Sequence, residues 1–163
     1  MATAVDICNL ALGMLGDSGD VTSITPPDGS PQAGHCARWY PLALRKLYEE
    51  HDWSFAIRRS RGVELSNVDE DLYEWKHGYL LPSDCVRLLR VSEVGKEGLP
   101  LDFEVELYES NSGRAVFTNA TNVVLTYVSY VDTATVFPTY FVQALVILLA
   151  SVSYTHLRAH ETR

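Results

Sequence analysis

Apolar positions follow two rhythms along this chain: helical at both ends and alternating in the middle. Near the start, Ile7, Leu10, Ala11, Met14 and Leu15 recur at the three-four spacing of one helix face. Thr3 stands three residues before Asp6, which suits a capping box with the shorter acid, and Gly16 lies where a left-handed cap would close the helix. A helix over Thr3 to Leu15 is predicted. Residues 17–29 (DSGDVTSITPPDG) form a turn-rich connector with Val21 and Ile24 as anchors. A second helix opens at Ser30, an N-cap hydroxyl, with Pro31 at the first helical position, where its missing N–H costs nothing. Its inner face is predicted at Ala33, Ala37, Tyr40, Leu44, Leu47 and His51, with Arg38, Arg45, Lys46, Glu49 and Glu50 in solvent. Pro41 falls inside the pattern and removes one ladder bond, so a kink is expected there. The segment closes on Trp53 and Phe55. Each ring carries about 150–250 Å² of surface, so both are predicted to be buried.

After Phe55 the period changes to two. Ile57, Val63 and Leu65 sit among Arg58, Arg59 and Arg61, and a polar loop runs over residues 66–71. Tyr73, Trp75, His77 and Tyr79 alternate with Glu74, Lys76, Gly78 and Leu80, which reads as a half-buried strand. A turn at Pro82-Ser83-Asp84 leads to a strand over residues 86–91, and residues 95–98 turn again. Phe103, Val105 and Leu107 alternate with polar neighbours, Asn111-Ser112-Gly113 turns, and residues 115–118 and 123–131 complete the set. Pro138 opens a last apolar segment over residues 139–150, with Phe141, Leu145, Leu148 and Leu149 on one side. That segment is shorter than the about 20 residues a bilayer span needs, so it is predicted to be a buried helix.

The pattern implies an α+β fold: an N-terminal antiparallel helix pair, an antiparallel β-sheet or small sandwich, and a C-terminal helix packing on the pair. Helical residues 1–56 would be joined by residues 138–151, leaving 57–137 as the β region. A chain of 163 residues is long enough to bury a sizeable core. Its formal net charge of -8 argues against a protein whose main task is gripping nucleic-acid phosphates. Cys8, Cys36 and Cys85 lie far apart in apolar surroundings and read as reduced, buried small hydrophobes. The first residues lack the basic region of a secretory signal.

Candidate chemistry is sparse. His35-Cys36 and His51-Asp52 are adjacent pairs whose side chains diverge on a helix, and Cys36 lacks an obvious base-and-orienter set. Asp69-Glu70-Asp71 lacks the spacing of a calcium loop, and Gly13, Gly16 and Gly19 follow no strand, so no phosphate cradle is implied. Arg58, Arg59, Arg61, Arg87 and Arg90 form a basic concentration that reads as a solvated strand face or a docking surface for an acidic partner. Tyr73, Trp75 and Tyr79 read as core or interface rings, with a sugar-stacking platform as the alternative. No catalytic residue, metal ligand or cofactor site is assigned.

Three blocks carry a resemblance. They are Ile7-Cys8-Asn9-Leu10-Ala11-Leu12 with Leu15-Gly16-Asp17, the run from Cys36 through Tyr40-Pro41 to Asp52-Trp53-Ser54-Phe55-Ala56, and Tyr79-Leu80-Leu81-Pro82-Ser83-Asp84-Cys85-Val86-Arg87. In this order they resemble the tail tubular protein A family of podovirus-like phages, which are head-to-tail connectors. The resemblance implies a structural virion protein, assembled in the host bacterial cytoplasm, that forms a ring with itself, dodecameric at full length. The ring would sit between the portal protein and the tail nozzle (tail tubular protein B), with DNA passing through its lumen without specific binding. It implies no enzymatic turnover, no cofactor and no membrane. The contrasting reading is a small tail-associated carbohydrate-binding module or hydrolase. Residues 152–162 (VSYTHLRAHET) resemble one reading frame of a transposase sequencing adapter, so the family-like sequence is expected to stop near Ala150 or Ser151. That expectation also sets aside His156 and His160, whose spacing suggests metal ligands.

Overall fold

The computed structural model describes residues 2–18, 20–66, 68–69, 74–96, 99, 101–108 and 113–161, the stretch 154–161 by backbone alone. The fold is α+β, and the chain divides into two compact units: Met1–His51 with Val131–Arg163, and Asp52–Tyr130. The 3-10 turn at Ser54–Ala56 therefore travels with the β unit.

In the helical unit, α1 spans Ala4–Met14 and is closed at both ends by its own sequence. The Thr3 hydroxyl accepts the Asp6 N–H at 3.1 Å, and the Asp6 carboxylate accepts the Thr3 N–H at 2.8 Å. At the other end Gly16 takes φ +80°, so the Gly16 N–H reaches the Gly13 carbonyl and the Asp17 N–H reaches the Leu12 carbonyl, each at 3.1 Å. The buried face differs from the predicted stripe. Ile7, Cys8, Ala11 and Leu12 are buried, whereas Leu10 and Met14 are exposed. Apolar residues surround this helix almost completely, so two stripes compete, and packing on the third helix selects between them.

Helix α2 spans Pro31–Glu50; the Ser30 hydroxyl accepts the Ala33 N–H at 3.1 Å, and the helix runs on through Pro41. Cys36, Ala43 and Tyr48 join Ala33, Tyr40, Leu44 and Leu47 inside, Ala37 is partly exposed, and His51 caps the helix in extended backbone and is exposed. Helix α3 spans Thr139–Glu161, and both α1 and α2 pack mainly on it. Phe141, Leu145 and Leu149 are its buried ridge. Phe141 stacks on Tyr48 with ring centroids 5.2 Å apart and meets Phe137 edge-on at 4.8 Å, while the Tyr48 hydroxyl donates to the Val131 carbonyl at 3.0 Å. The helix does not stop near Ala150 as expected. No Gly or Pro follows within it, and the backbone stays helical through Glu161.

The β unit holds two antiparallel sheets. Its strands are β1 (Ile57–Arg61), β2 (Val63–Glu64), β3 (His77–Leu80), β4 (Cys85–Glu93), β5 (Glu104–Leu107), β6 (Arg114–Thr118) and β7 (Val123–Ser129). The sheet orders are β1-β7-β4 and β2-β3-β6-β5. Tyr79 and Val116 of one sheet meet Val91, Val123, Leu125 and Tyr127 of the other in a shared core, which makes a small sandwich. Gly62 carries the chain from β1 in one sheet to β2 in the other. A Cβ there would lie 2.7 Å from both the Tyr79 ring and Val123 Cγ2, so the crossing requires glycine. Strand β4 contains two register shifts, between Cys85 and Arg87 and between Leu88 and Arg90.

Three expectations change here. Trp53 and Phe55 are half-buried rather than core residues. The strand expected from Tyr73 begins at His77, because Glu74 takes φ +60°, a left-handed conformation that an extended ladder does not admit. Every residue of β5 is exposed, so its alternation does not translate into a buried side. Tyr73, Glu70, Asp71, Gly98, Asn111 and Ser112 lie outside the described residues, as do the side chains of His156 and His160.

Candidate functional site

Among the described residues, those singled out by sequence do not converge on a reactive centre. Cys8 and Cys36 are brought together inside the helical unit, both almost fully buried. The hydrogen bond between the two thiols, with burial, pushes the Cys8 thiol upward, while the same bond draws the Cys36 thiol down against its own burial. Burial likewise pushes the Cys85 thiol up. His35 is engaged elsewhere: its Nε2 lies 2.8 Å from the Ser153 hydroxyl, and its ring tilts against Trp39 at 6.3 Å. Gly13 and Gly16 close α1, and Gly19 lies outside the described residues. Among the described residues no group of three His, Cys, Asp or Glu side chains is placed to hold a metal ion, and no helix is long and apolar enough to cross a membrane.

Of the three candidate platform rings, Trp75 and Tyr79 are described. Tyr79 is a core residue whose hydroxyl donates to the Ala120 carbonyl at 3.0 Å. Trp75 lies off the strand and donates its indole N–H to the Glu104 carboxylate at 3.0 Å.

What the structure does bring together are residues of the recognisable blocks. Arg87, in the third block, donates to the Asp52 carboxylate of the second. Asp84 anchors the end of the sandwich: its carboxylate accepts from the Ser129 hydroxyl at 2.8 Å, the Tyr127 hydroxyl at 3.2 Å and Arg58 Nη1 at 3.3 Å. Its own carbonyl accepts the Tyr130 N–H at 2.7 Å. Burial, then the nearby Asp84 charge, raises the Tyr127 hydroxyl above the usual phenol range. Asn9, in the first block, uses its side-chain amide as a strand would use its backbone. It donates to the Val21 carbonyl and accepts the Val21 N–H, both at 2.9 Å. Sequence reading missed the roles of Asn9 and Asp84. The available signal for Asn9 was a lone amide inside an otherwise apolar helix.

The five arginines divide into two groups. Arg58 and Arg87 are held by Asp84 and Asp52, while Arg59, Arg61 and Arg90 are exposed and make no ion pair with a described residue. Arg59 and Arg90 both stand opposite Thr126, one from each flanking strand, so they share one face of the sheet, and Arg61 lies two residues along from Arg59. Beside them is a groove of about 700 Å³ lined by Arg61, Val63, Leu80, Pro82, Leu107 and Arg114. Arg114 spends its guanidinium on the Cys85 and Val86 carbonyls. The lining also holds Ser60 and Ser83 but no carboxylate or imidazole, so the groove is mainly apolar and flanked by cations. Neither the models of known families nor the curated proteins give a match to this chain.

Proposed function

We propose that this chain is a subunit of a phage head-to-tail connector of the tail tubular protein A type. The observation that carries the reading is the ordered set of three sequence blocks. Support comes from what the blocks do: Asn9, Asp52, Asp84 and Arg87 are spent on tethers, and the block cysteines are buried. A passive ring needs such tethers and needs no turnover. On this reading copies of the chain, twelve in the full-length protein, form a ring between portal and tail nozzle in the virion. The overall negative charge suits a lumen through which DNA slides without adhering. Residues beyond Ser151 are read as adapter-derived, and Ser153 among them still meets His35 in the helical unit.

The glycan-binding or hydrolase reading has less support, because Tyr79, one of its three rings, is in the core. The deciding experiment mixes purified chain with the portal ring of a podovirus-like phage and images the mixture by electron microscopy. A ring of extra density on the tail-facing side of the portal is expected. Free portal rings at saturating chain, or hydrolysis of capsular polysaccharide by the chain alone, would overturn the reading.

A further inference from the structure

The two sheets of the β unit end in edge strands of opposite charge. Strand β1, the edge of one sheet, reads Ile57-Arg58-Arg59-Ser60-Arg61, and β5, the edge of the other, reads Glu104-Val105-Glu106-Leu107. Because Gly62 alone joins β1 to β2, those two edges lie on one side of the sandwich, and the sheet order β2-β3-β6-β5 puts β5 on the other. An edge strand exposes unpaired backbone N–H and C=O groups and invites a further strand. Of the two remaining edges, β2 is only two residues long and β4 is protected by its two register shifts, whereas β1 keeps an unbroken register with β7.

We infer that β5 of one copy adds to β1 of a second copy, joining subunits head to tail. This rests on the connector reading and names the contact that would build its ring. Charge selects the pairing. Glu104 and Glu106 share one face of β5, and Arg59 and Arg61 share one face of β1 at the same two-residue spacing. Strand β5 against a second β5 sets carboxylates opposite carboxylates, and β1 against a second β1 sets guanidinium groups together. Both self-pairings are therefore disfavoured, and the mixed pairing is favoured. The exposed apolar side chains fit the same use: Leu107 is 76% exposed and Val105 40%, on the face of β5 opposite its acids. A contact between different surfaces on opposite sides of the sandwich propagates, and it closes into a ring when the rotation per step allows. Each contact is small, so ring closure supplies much of the stability by making the last pairing intramolecular.

The test is a charge exchange read by sedimentation velocity over a range of concentrations, with circular dichroism to check folding. Arg58 is left intact because it holds Asp84. R59E/R61E and E104K/E106K are each expected to self-associate roughly tenfold more weakly than the unsubstituted chain. Mixing the two variants restores association, since each now offers the edge the other lacks. E106K alone, which leaves the Trp75 bond to Glu104 in place, is expected to show a smaller loss in the same direction. An unsubstituted chain that stays monomeric, single-edge variants that associate undiminished, or a mixture no better than its parts would each overturn the inference. Variants that still ring the portal undiminished would sink the strand pairing and leave the connector reading standing. Failure of the unsubstituted chain to bind the portal would sink that reading itself.

Discussion

Arg87 and Asp52, 35 positions apart in the chain, form an ion pair that joins the third recognisable sequence block to the second. The pair lies at the surface, with side chains 42% and 55% exposed, so solvent screens it. Asp52→Ala is expected to lower stability by about 0.5–1 kcal/mol at low salt and by less at high salt. Urea unfolding at two ionic strengths measures this, and a loss independent of salt would contradict it.

Asp84 should matter more. Ser129 is fully buried and Tyr127 nearly so, and both hydroxyls donate to the Asp84 carboxylate. Asp84→Ala leaves two buried donors without an acceptor and is expected to cost about 2–4 kcal/mol. Ser129→Ala removes one donor and should cost about 1 kcal/mol. The two midpoint shifts from denaturant melts give the comparison; equal shifts would remove Asp84 from its anchoring role.

Asn9 is a second tether of the same kind, inside the helical unit. Asn9→Asp keeps the acceptor for the Val21 N–H but sets a carboxylate against the Val21 carbonyl in place of a donor. It is expected to destabilise by about 1–3 kcal/mol at neutral pH and by less once the carboxyl is protonated. Melts of Asn9→Asp and the parent on either side of the carboxylate range test the crossover.

Asp28 supplies a pH dependence with a definite sign. Its carboxylate accepts the Ser30 hydroxyl at 2.6 Å, the Thr22 N–H at 2.8 Å, the Ser30 N–H at 2.9 Å and the Thr22 hydroxyl at 3.0 Å. These bonds, the Ser30 hydroxyl foremost, hold its carboxyl well below the ordinary value of 3.8. The folded state therefore binds this proton less readily than the unfolded chain. The stabilisation is complete above the ordinary carboxylate range and fades as pH falls through that range toward the folded value. The difference in melting temperature between the parent and Asp28→Asn should shrink as pH is lowered from neutral into the acid range. A difference that stays constant would remove Asp28 as the source.

Local chemistry determined a good deal of this protein directly from sequence. The Thr3–Asp6 box, Gly16, Ser30 and Pro31 placed helix ends because each satisfies backbone groups within a few residues. Short apolar runs between turn signals likewise placed β4, β6 and β7, and β6 and β7 are buried along nearly their whole length. Tertiary structure decided whatever depended on a distant partner. Packing against α3 chose Cys8 and Leu12 over Leu10 and Met14, since a helix apolar nearly all round has no intrinsic inner face. The left-handed Glu74 cut β3 short, and edge position left β5 exposed despite its alternating pattern. The pairing of Asp52 with Arg87, the reach of Asp84 to β7, and the opposite charges on two sheet edges also arose only on folding. Each is a relation between residues far apart in the chain, and periodicity and capping act over only a few residues.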